Sequence, residues 1–237
     1  MMFYEYSGIG SYHLNKHGEN QDAIHYDRMG NYSVISLADG VSSCKAAKRG
    51  AEIASRTLSK WLLRERTALL ESELKIPASR ILSPVLGELK RIAEKEHIEL
   101  SEYSSTLAGV LIDERAQRTY CVNLGDGIIF ACYPDRCRLL AMPDDRFEGC
   151  YVTTTKHVET VLSQQLLDIS GANSVMICSD GAWKHLYDRN RLKPEAVDML
   201  VNCRYDALKQ FLINQDCFDD CSFVSADLRR DKKGNAA

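Results

Sequence analysis

Three apolar runs in this chain end in the same dipeptide, Asp-Gly. The dipeptides begin at Asp39, Asp126 and Asp180, and each follows a stretch typical of a buried strand. A strand that stops at Asp-Gly brings a carboxylate to the edge of a sheet, and the glycine lets a ligand approach the backbone. Asp-Gly is also one of the commonest turn dipeptides, so a single copy would predict only a turn. Three copies predict several strands that carry carboxylates at their ends.

Two further acidic segments mark strand boundaries. Asp22 precedes the apolar residues that begin another predicted strand, and Asp219 and Asp220 precede the last one. Hard divalent cations such as Mg²⁺ and Mn²⁺ prefer oxygen ligands, and a pair of them can assist a displacement at phosphorus. Loops that carry ligands on a rigid sheet are a common site design. The pattern therefore favours a metal site, with solvated turn aspartates that share no site as the alternative.

The order of the predicted elements indicates the fold class. Strands come first, two helical regions follow, and a run of strands comes after them, which differs from the regular alternation of a doubly wound parallel sheet. This order predicts an α+β chain in which antiparallel sheets carry helices on their outer faces. The strands predicted outside the central run lie at 3–9, 23–27, 32–38, 151–155, 174–178 and 222–228.

Periodicity places the helices. Apolar residues spaced by three and four predict an amphipathic helix over 44–63, capped by Ser42-Ser43. A second helical region is predicted over 67–97, with a restart at Ser83-Pro84. Short apolar runs separated by polar turns then predict an antiparallel meander over 104–141. Further helices are predicted at 161–167, 194–202 and 205–214.

Composition narrows the classes of function. The 237 residues are 45% hydrophobic, which predicts a single domain over 1–228 with a charged, disordered tail over 229–237. A net charge of -3 does not predict nucleic-acid binding, because proteins that bind nucleic acid usually carry a basic surface. The apolar runs are shorter than the about 20 residues of a membrane-spanning helix. Nine cysteines without a Cys-x-x-Cys pair, and an N-terminus without a signal-like segment, favour reduced thiols and a cytoplasmic location.

Six motifs follow one another along the chain in a recognisable order. They are Asn20-Gln21-Asp22, Ala38-Asp39-Gly40, Ser105-Thr106-Leu107-Ala108-Gly109, Asn123-Leu124-Gly125-Asp126-Gly127, Ser179-Asp180-Gly181 and Asp219-Asp220-Cys221-Ser222. This order and spacing resemble the metal-dependent type 2C protein serine/threonine phosphatases, in particular their short bacterial branch, from residue 7 to residue 228. The resemblance implies a four-layer α-β-β-α sandwich of two antiparallel sheets flanked by helices, with a binuclear metal centre at one end.

Residue by residue, the resemblance implies a site for two Mn²⁺ or Mg²⁺ ions. Its metal-binding residues would be Asp22, Asp39, Gly40, Asp180 and Asp219, with Asp126 at a weak third site. Asp39 would bridge the two ions, and the Gly40 carbonyl would bind one of them. The implied catalytic carboxylates are Asp39, Asp180 and Asp219. A hydroxide held between the ions would attack the phosphorus of phosphoserine or phosphothreonine. Phosphorylated proteins are the implied substrates, with a Ser/Thr kinase as a further partner.

Four positions depart from the family pattern. Gln21 stands where many members have a metal-binding glutamate, and Val41 stands where many have a histidine proposed as the general acid. Lys184 replaces an aspartate that helps to hold the third metal. His17 occupies the place of a phosphate-binding arginine, so His17 is the predicted phosphate contact, with Lys16 and His13 as substitutes.

These departures leave two functions open. The first is a metal-dependent protein serine/threonine phosphatase. The second is a catalytically weak pseudophosphatase that binds a phosphoprotein or a kinase partner. The retained aspartates favour turnover, because a pure binding module has no need of converging carboxylates.

Overall fold

The computed structural model describes residues 1–16, 18–71, 76–142, 151–188 and 191–229. The strands in these ranges are β1 Met2–Gly8, β2 Asp22–Met29, β3 Tyr32–Asp39, β4 Leu107–Asp113, β5 Arg118–Leu124, β6 Ile128–Cys132, β7 Cys137–Ala141, β8 Ser163–Asp168, β9 Ser174–Cys178, β10 Tyr187–Asp188, β11 Arg191–Leu192 and β12 Cys221–Asp227. The helices in the same ranges are α1 Ser11–Asn15, α2 Ala47–Arg64, α3 Arg66–Glu71, α4 Ala78–Glu96, α5 Asp180–Leu186, α6 Pro194–Val201 and α7 Tyr205–Ile213, with short 3-10 helices at Leu100–Tyr103 and Val158–Thr160. Apart from Arg229, the tail predicted to be disordered lies outside the described residues.

Two antiparallel sheets form the centre of the described structure. The first has the strand order β1-β12-β9-β6-β7, and the second has the order β2-β3-β4-β5-β8. Every neighbouring pair in both sheets is antiparallel. Strands β10 and β11 form a separate ribbon. The predicted α+β class, with two antiparallel sheets flanked by helices, is confirmed.

Apolar side chains form three layers, one between the sheets and one on each outer face. Ile35 and Ile177 belong to the layer between the sheets. Leu58 of α2 and Leu89 of α4 belong to the layer that covers the second sheet, and Leu208 of α7 belongs to the layer that covers the first. Because both faces of the sheets are covered, β9 and β12 are buried along their whole length. This explains why β9 occurs in the sequence as a nearly continuous apolar run. In β12 the buried positions also include Ser222, Ser225 and Asp227.

Two predicted features of the helices are wrong. Helix α2 begins at Ala47 without a side-chain cap, and Ser42-Ser43 lie in the preceding turn. Helix α4 continues through Pro84, where the sequence predicts a restart. Leu82 and Val85 beside it are buried in the core, and this burial offsets the hydrogen bond that a proline cannot make. None of the helices described is long and apolar enough to cross a membrane.

The predicted meander is also wrong in one respect, because it divides between the sheets. Strands β4 and β5 pair in the second sheet, whereas β6 and β7 belong to the first. The chain changes sheet at Gly125, Asp126 and Gly127, and Gly125 has a φ of 100°, in the region that favours glycine. The helix predicted at 161–167 is instead strand β8, which pairs with β5. The short strand predicted at 151–155 is also wrong, because these residues form a turn.

Antiparallel pairing brings the acidic strand ends to one end of the sandwich. Asp22, the first residue of β2, is the register partner of Asp39, the last residue of β3. In the other sheet, Asp180 follows β9 and Asp219 precedes β12, and these two strands are antiparallel neighbours. In the second sheet, the start of β2 therefore lies beside the end of β3. In the first sheet, the start of β12 lies beside the end of β9.

Candidate metal centre

The backbone of Asp39 and Gly40 is fixed by its neighbours. The Asp39 N–H donates to Oγ1 of Thr106 over 2.9 Å, and the Asp39 carbonyl accepts from the Thr106 N–H over 2.8 Å. The Gly40 N–H donates to the Gln21 carbonyl over 3.3 Å. A Cβ at Gly40 would lie 2.8 Å from the backbone of Ala47, so the start of α2 requires a glycine here. These contacts use the backbone and leave the Asp39 carboxylate available to other groups.

Five carboxylates influence one another at this end of the sandwich. The pKa of Asp39 is raised well above its ordinary value, first by burial and then by the charges of Asp22, Asp180, Asp219 and Asp126. Burial also raises the pKa of Asp219, and Asp180 adds to that rise. The structure therefore brings together the five aspartates proposed as metal-binding residues. Like charges gathered in this way are costly unless a cation joins them.

Asp22 is a buried carboxylate that makes no hydrogen bond of ordinary geometry to the described residues. Its exposed fraction is 2%, and neither of its carboxylate oxygens has a partner within the described residues. Burial raises the pKa of Asp22 to about 8; the nearby hydroxyl groups of Ser222 and Ser179 act to lower it, and the charges of Asp220 and Asp180 add to the rise. The side-chain oxygen of Gln21 is likewise buried without a hydrogen bond to the described residues. Oxygens left unpaired in this way fit a hard cation.

Asp180 begins helix α5 and has both of its carboxylate oxygens engaged. Oδ1 accepts from the Gly181 N–H over 2.6 Å, and Oδ2 forms an ion pair with the ammonium group of Lys184, one helical turn further along. Burial acts to lower the pKa of Lys184, but the hydrogen bond and the charge of Asp180 outweigh it and raise this pKa. Lys184 is therefore a built-in cation beside the carboxylates. The sequence alone predicts Lys184 only as the loss of a metal ligand.

Asp220 connects three segments of the chain beside Asp219. Its Oδ1 accepts from the Gly10 N–H over 2.8 Å, and its Oδ2 accepts from the Gln21 N–H over 2.6 Å. The same Oδ2 lies 2.9 Å from Nδ1 of His13. Asp220 is buried, so this network fixes the backbone that carries Asp219. This anchoring role was not predicted, and the doubled aspartate is its one visible signal in the sequence.

The two histidines predicted as phosphate contacts have different outcomes. His13 has an exposed fraction of 5%, its Nδ1 is bound to Asp220, and its Nε2 is buried without a partner in the described structure. This position favours an anchoring role over direct contact with phosphate. His17 lies outside the described residues.

Asp126 lies where the chain crosses from the second sheet to the first. Its backbone carbonyl accepts a hydrogen bond from Nε1 of Trp183 over 2.7 Å, which ties the crossing to helix α5. Its charge acts on both Asp39 and Lys184. A third ion near Asp126 would therefore have to share the space with the ammonium group of Lys184.

The donor set fits a hard divalent cation, although the side chains are not arranged around one. In the part of the chain that the structure describes, no group of three or more His, Cys, Asp or Glu side chains is placed to hold a metal ion. One reason is that Lys184 and the backbone of Gly181 engage both oxygens of Asp180. The carboxylates of these aspartates nevertheless influence one another electrostatically. The two carboxylate oxygens of Asp22 have no hydrogen-bond partner among the described residues. An ion bound at Asp180 would have to compete with Lys184.

Comparison with known proteins identifies the family. The model of the protein phosphatase 2C family matches residues 9–215. A bacterial serine phosphatase structure shares 15% identity, with 98% of this chain and 99% of that chain covered and a TM-score of 0.70. The serine/threonine phosphatase Stp1 from Staphylococcus aureus shares 16% identity, with 96% of this chain and 95% of that chain covered and a TM-score of 0.66. RsbX in complex with magnesium shares 12% identity, with 94% of this chain and 92% of that chain covered and a TM-score of 0.56. Comparison of the sequence with curated proteins found no match. The chain belongs to the protein phosphatase 2C family.

Proposed function

We propose that this chain is a metal-dependent phosphatase that hydrolyses phosphoserine and phosphothreonine in proteins. The observation that supports this most strongly is the cluster of aspartates around Asp39, where burial and then the charges of the other aspartates raise the pKa of that residue. Such a cluster is costly alone and useful around divalent cations. Membership of the family supports phosphoprotein substrates, and a Ser/Thr kinase would produce them.

The residues of the chain would hold and orient the reacting groups. Two Mn²⁺ or Mg²⁺ ions bound here would supply a water of lowered pKa and positive charge for the transition state. Asp39 and the Gly40 carbonyl would bind on the side of the second sheet, and Asp180 and Asp219 on the side of the first. Asp22 would take part directly or through water, and its unpaired oxygens support this.

One observation favours the second function, binding without efficient turnover. The ion pair between Lys184 and Asp180 engages a residue that the first function needs for metal. Gln21 also offers a neutral oxygen where many members of the family offer a charged one. A chain of this kind would bind a phosphoprotein or a kinase partner and release it without hydrolysis.

Hydrolysis of p-nitrophenyl phosphate distinguishes the two functions. The purified chain would be assayed with Mn²⁺, with Mg²⁺ and with a chelator, and a phosphoserine peptide would be assayed in parallel. We expect hydrolysis of both compounds with metal and none with the chelator. Binding of the peptide without metal-dependent hydrolysis of either compound would contradict the phosphatase proposal and support the pseudophosphatase.

Removing the ammonium group of Lys184 should strengthen metal binding. In Lys184→Ala the carboxylate of Asp180 loses its ion-pair partner, and a bound cation loses a like charge nearby. We expect the affinity for Mn²⁺ to rise by about tenfold, which corresponds to one screened charge at close range. Isothermal titration calorimetry would measure it. Lys90→Ala, on the exposed face of α4, is the matched control. An unchanged or weaker affinity in Lys184→Ala would show that the ion pair does not compete with metal.

A further inference from the structure

Two cysteines face each other across the hairpin formed by β6 and β7. Cys132 ends β6, Cys137 begins β7, and the two are register partners. Their Sγ atoms lie 3.6 Å apart. Both thiols are free in the structure.

The backbone pairing places these side chains in the closer of the two arrangements that an antiparallel ladder offers. The Tyr133 N–H donates to the Arg136 carbonyl over 2.7 Å, so the next pair inward, Cys132 and Cys137, is a non-hydrogen-bonded pair. In agreement, the Cys132 carbonyl accepts from Asn173 on the side of β9, over 2.7 Å. In such pairs the Cα atoms are about 4.5 Å apart, which is within the range that a disulfide spans.

We propose that Cys132 and Cys137 form a reversible dithiol–disulfide site that is oxidised by a peroxide. The two thiols differ in access, which assigns them different parts. Cys137 is half-buried and is the thiol that the oxidant reaches, whereas Cys132 is fully buried. The buried thiol already lies in contact with its partner, and the two sulfurs would close from 3.6 Å to about 2 Å when the disulfide forms.

The reaction balances with hydrogen peroxide as the oxidant. The Cys137 thiolate attacks one peroxide oxygen, the O–O bond breaks, and hydroxide leaves, which produces a sulfenic acid. The Cys132 sulfur then attacks the sulfenic sulfur, the S–O bond breaks, and the released hydroxide takes up a proton as water. The net change for the neutral species is the oxidation of two thiols and the reduction of one peroxide to two waters. The hydrogen bond with Cys132 lowers the pKa of Cys137 and outweighs the opposing effect of burial, which supports the first step.

A disulfide here would join the edge strand β7 to β6 at the end of their hairpin. The hairpin belongs to the first sheet, in which β6 also pairs with β9. Cross-linking restricts the unfolded chain, so the oxidised protein should be more stable than the reduced protein. For a short loop in a chain of this size we expect the melting temperature to rise by about 5 °C.

The test uses the full chain, reduced and then treated with hydrogen peroxide. We expect the intact mass to fall by about 2 Da, the loss of two hydrogens. Tandem mass spectrometry of a digest should place the link between Cys132 and Cys137. Dithiothreitol should restore the original mass and melting temperature. Cys137→Ser and Cys132→Ser should each abolish the mass loss, whereas Cys44→Ser, which removes another half-buried cysteine, should keep it.

Three results would overturn the proposal. The first is a wild-type chain that shows no mass loss at peroxide concentrations that oxidise a free thiol. The second is a mass loss that persists in Cys137→Ser. The third is a link that maps to another pair, such as Cys217 and Cys221 on either side of Asp219. None of these readouts depends on phosphatase activity, so the result is independent of the proposed function.

Discussion

Replacing Asp39 with asparagine should reduce metal-dependent hydrolysis of p-nitrophenyl phosphate by more than about 100-fold, because even residues that only support a metal ligand are worth 10- to 100-fold. The substitution keeps the size of the side chain and removes one charge. That charge interacts with Asp22, Asp180, Asp219 and Asp126. Calorimetric titration should show a matching loss of Mn²⁺ affinity, which separates a binding defect from a defect in chemistry alone.

The fold should survive this substitution, because the hydrogen bonds of Asp39 to Thr106 use its backbone N–H and carbonyl. Circular dichroism and thermal unfolding of Asp39→Asn would check this. Asp168→Asn is the matched control, since Asp168 also ends a strand but is exposed and pairs in register with Arg118, at the far end of β5. Full activity in Asp39→Asn, or an equal loss in Asp168→Asn, would contradict the proposed metal centre.

The convergence of the aspartates could be predicted, because in a pair of antiparallel strands the first residue of one strand lies beside the last residue of the other. Asp22 begins β2 and Asp39 ends β3, so the two must meet once these strands pair. The same holds for Asp180 and Asp219 in the other sheet. Both relations follow from the positions of carboxylates next to apolar runs, which are visible in the sequence.

Sheet membership could not be predicted, because it depends on pairing between distant segments. Strand β6 follows β5 after only a short turn, yet it pairs with β9 in the other sheet. The residues of β8 have an apolar spacing that suits a helix, and pairing with β5 makes them a strand. Local propensity is a weak guide where a neighbouring strand supplies the hydrogen bonds.

The hydrogen-bond and ion-pair partners of individual site residues could not be predicted from the sequence. His13 and Asp220 are 207 positions apart, and no local pattern links them. Lys184 and Asp180 are separated by four positions, a spacing that suits an ion pair only on a helix. Helix α5 is not among the elements that the sequence predicts, so the sequence does not predict this ion pair either.

Asp22→Asn should make the metal-free protein more stable and less sensitive to pH. Burial raises the pKa of Asp22 to about 8, whereas an aspartate in the unfolded chain has a pKa of about 3.9. As the pH rises between these values, the unfolded chain loses this proton while the folded chain retains it. The free energy of unfolding therefore falls across this window, by at most about 1.4 kcal/mol per pH unit for one group. Asparagine cannot ionise, so the variant should lose this contribution.

Thermal unfolding from pH 5 to pH 8 in the presence of a chelator would measure the effect. Asp27→Asn is the matched control, because Asp27 is an exposed aspartate in the same strand. The slope should not vanish entirely in Asp22→Asn, since the pKa of Asp39 is raised as well. A melting temperature that is independent of pH in the wild-type chain, or a slope that is unchanged in Asp22→Asn, would contradict the assignment of a costly buried carboxylate.

Addition of Mn²⁺ to the wild-type chain distinguishes a metal ligand from a carboxylate that is merely buried. If Asp22 contacts a bound cation, directly or through water, the positive charge lowers its pKa, and stability should then fall much less towards pH 8. The same addition should change the slope little in Asp22→Asn, where no carboxylate remains at that position. A slope in the wild-type chain that Mn²⁺ leaves unaltered would place Asp22 outside the metal centre, even if the chain hydrolyses p-nitrophenyl phosphate.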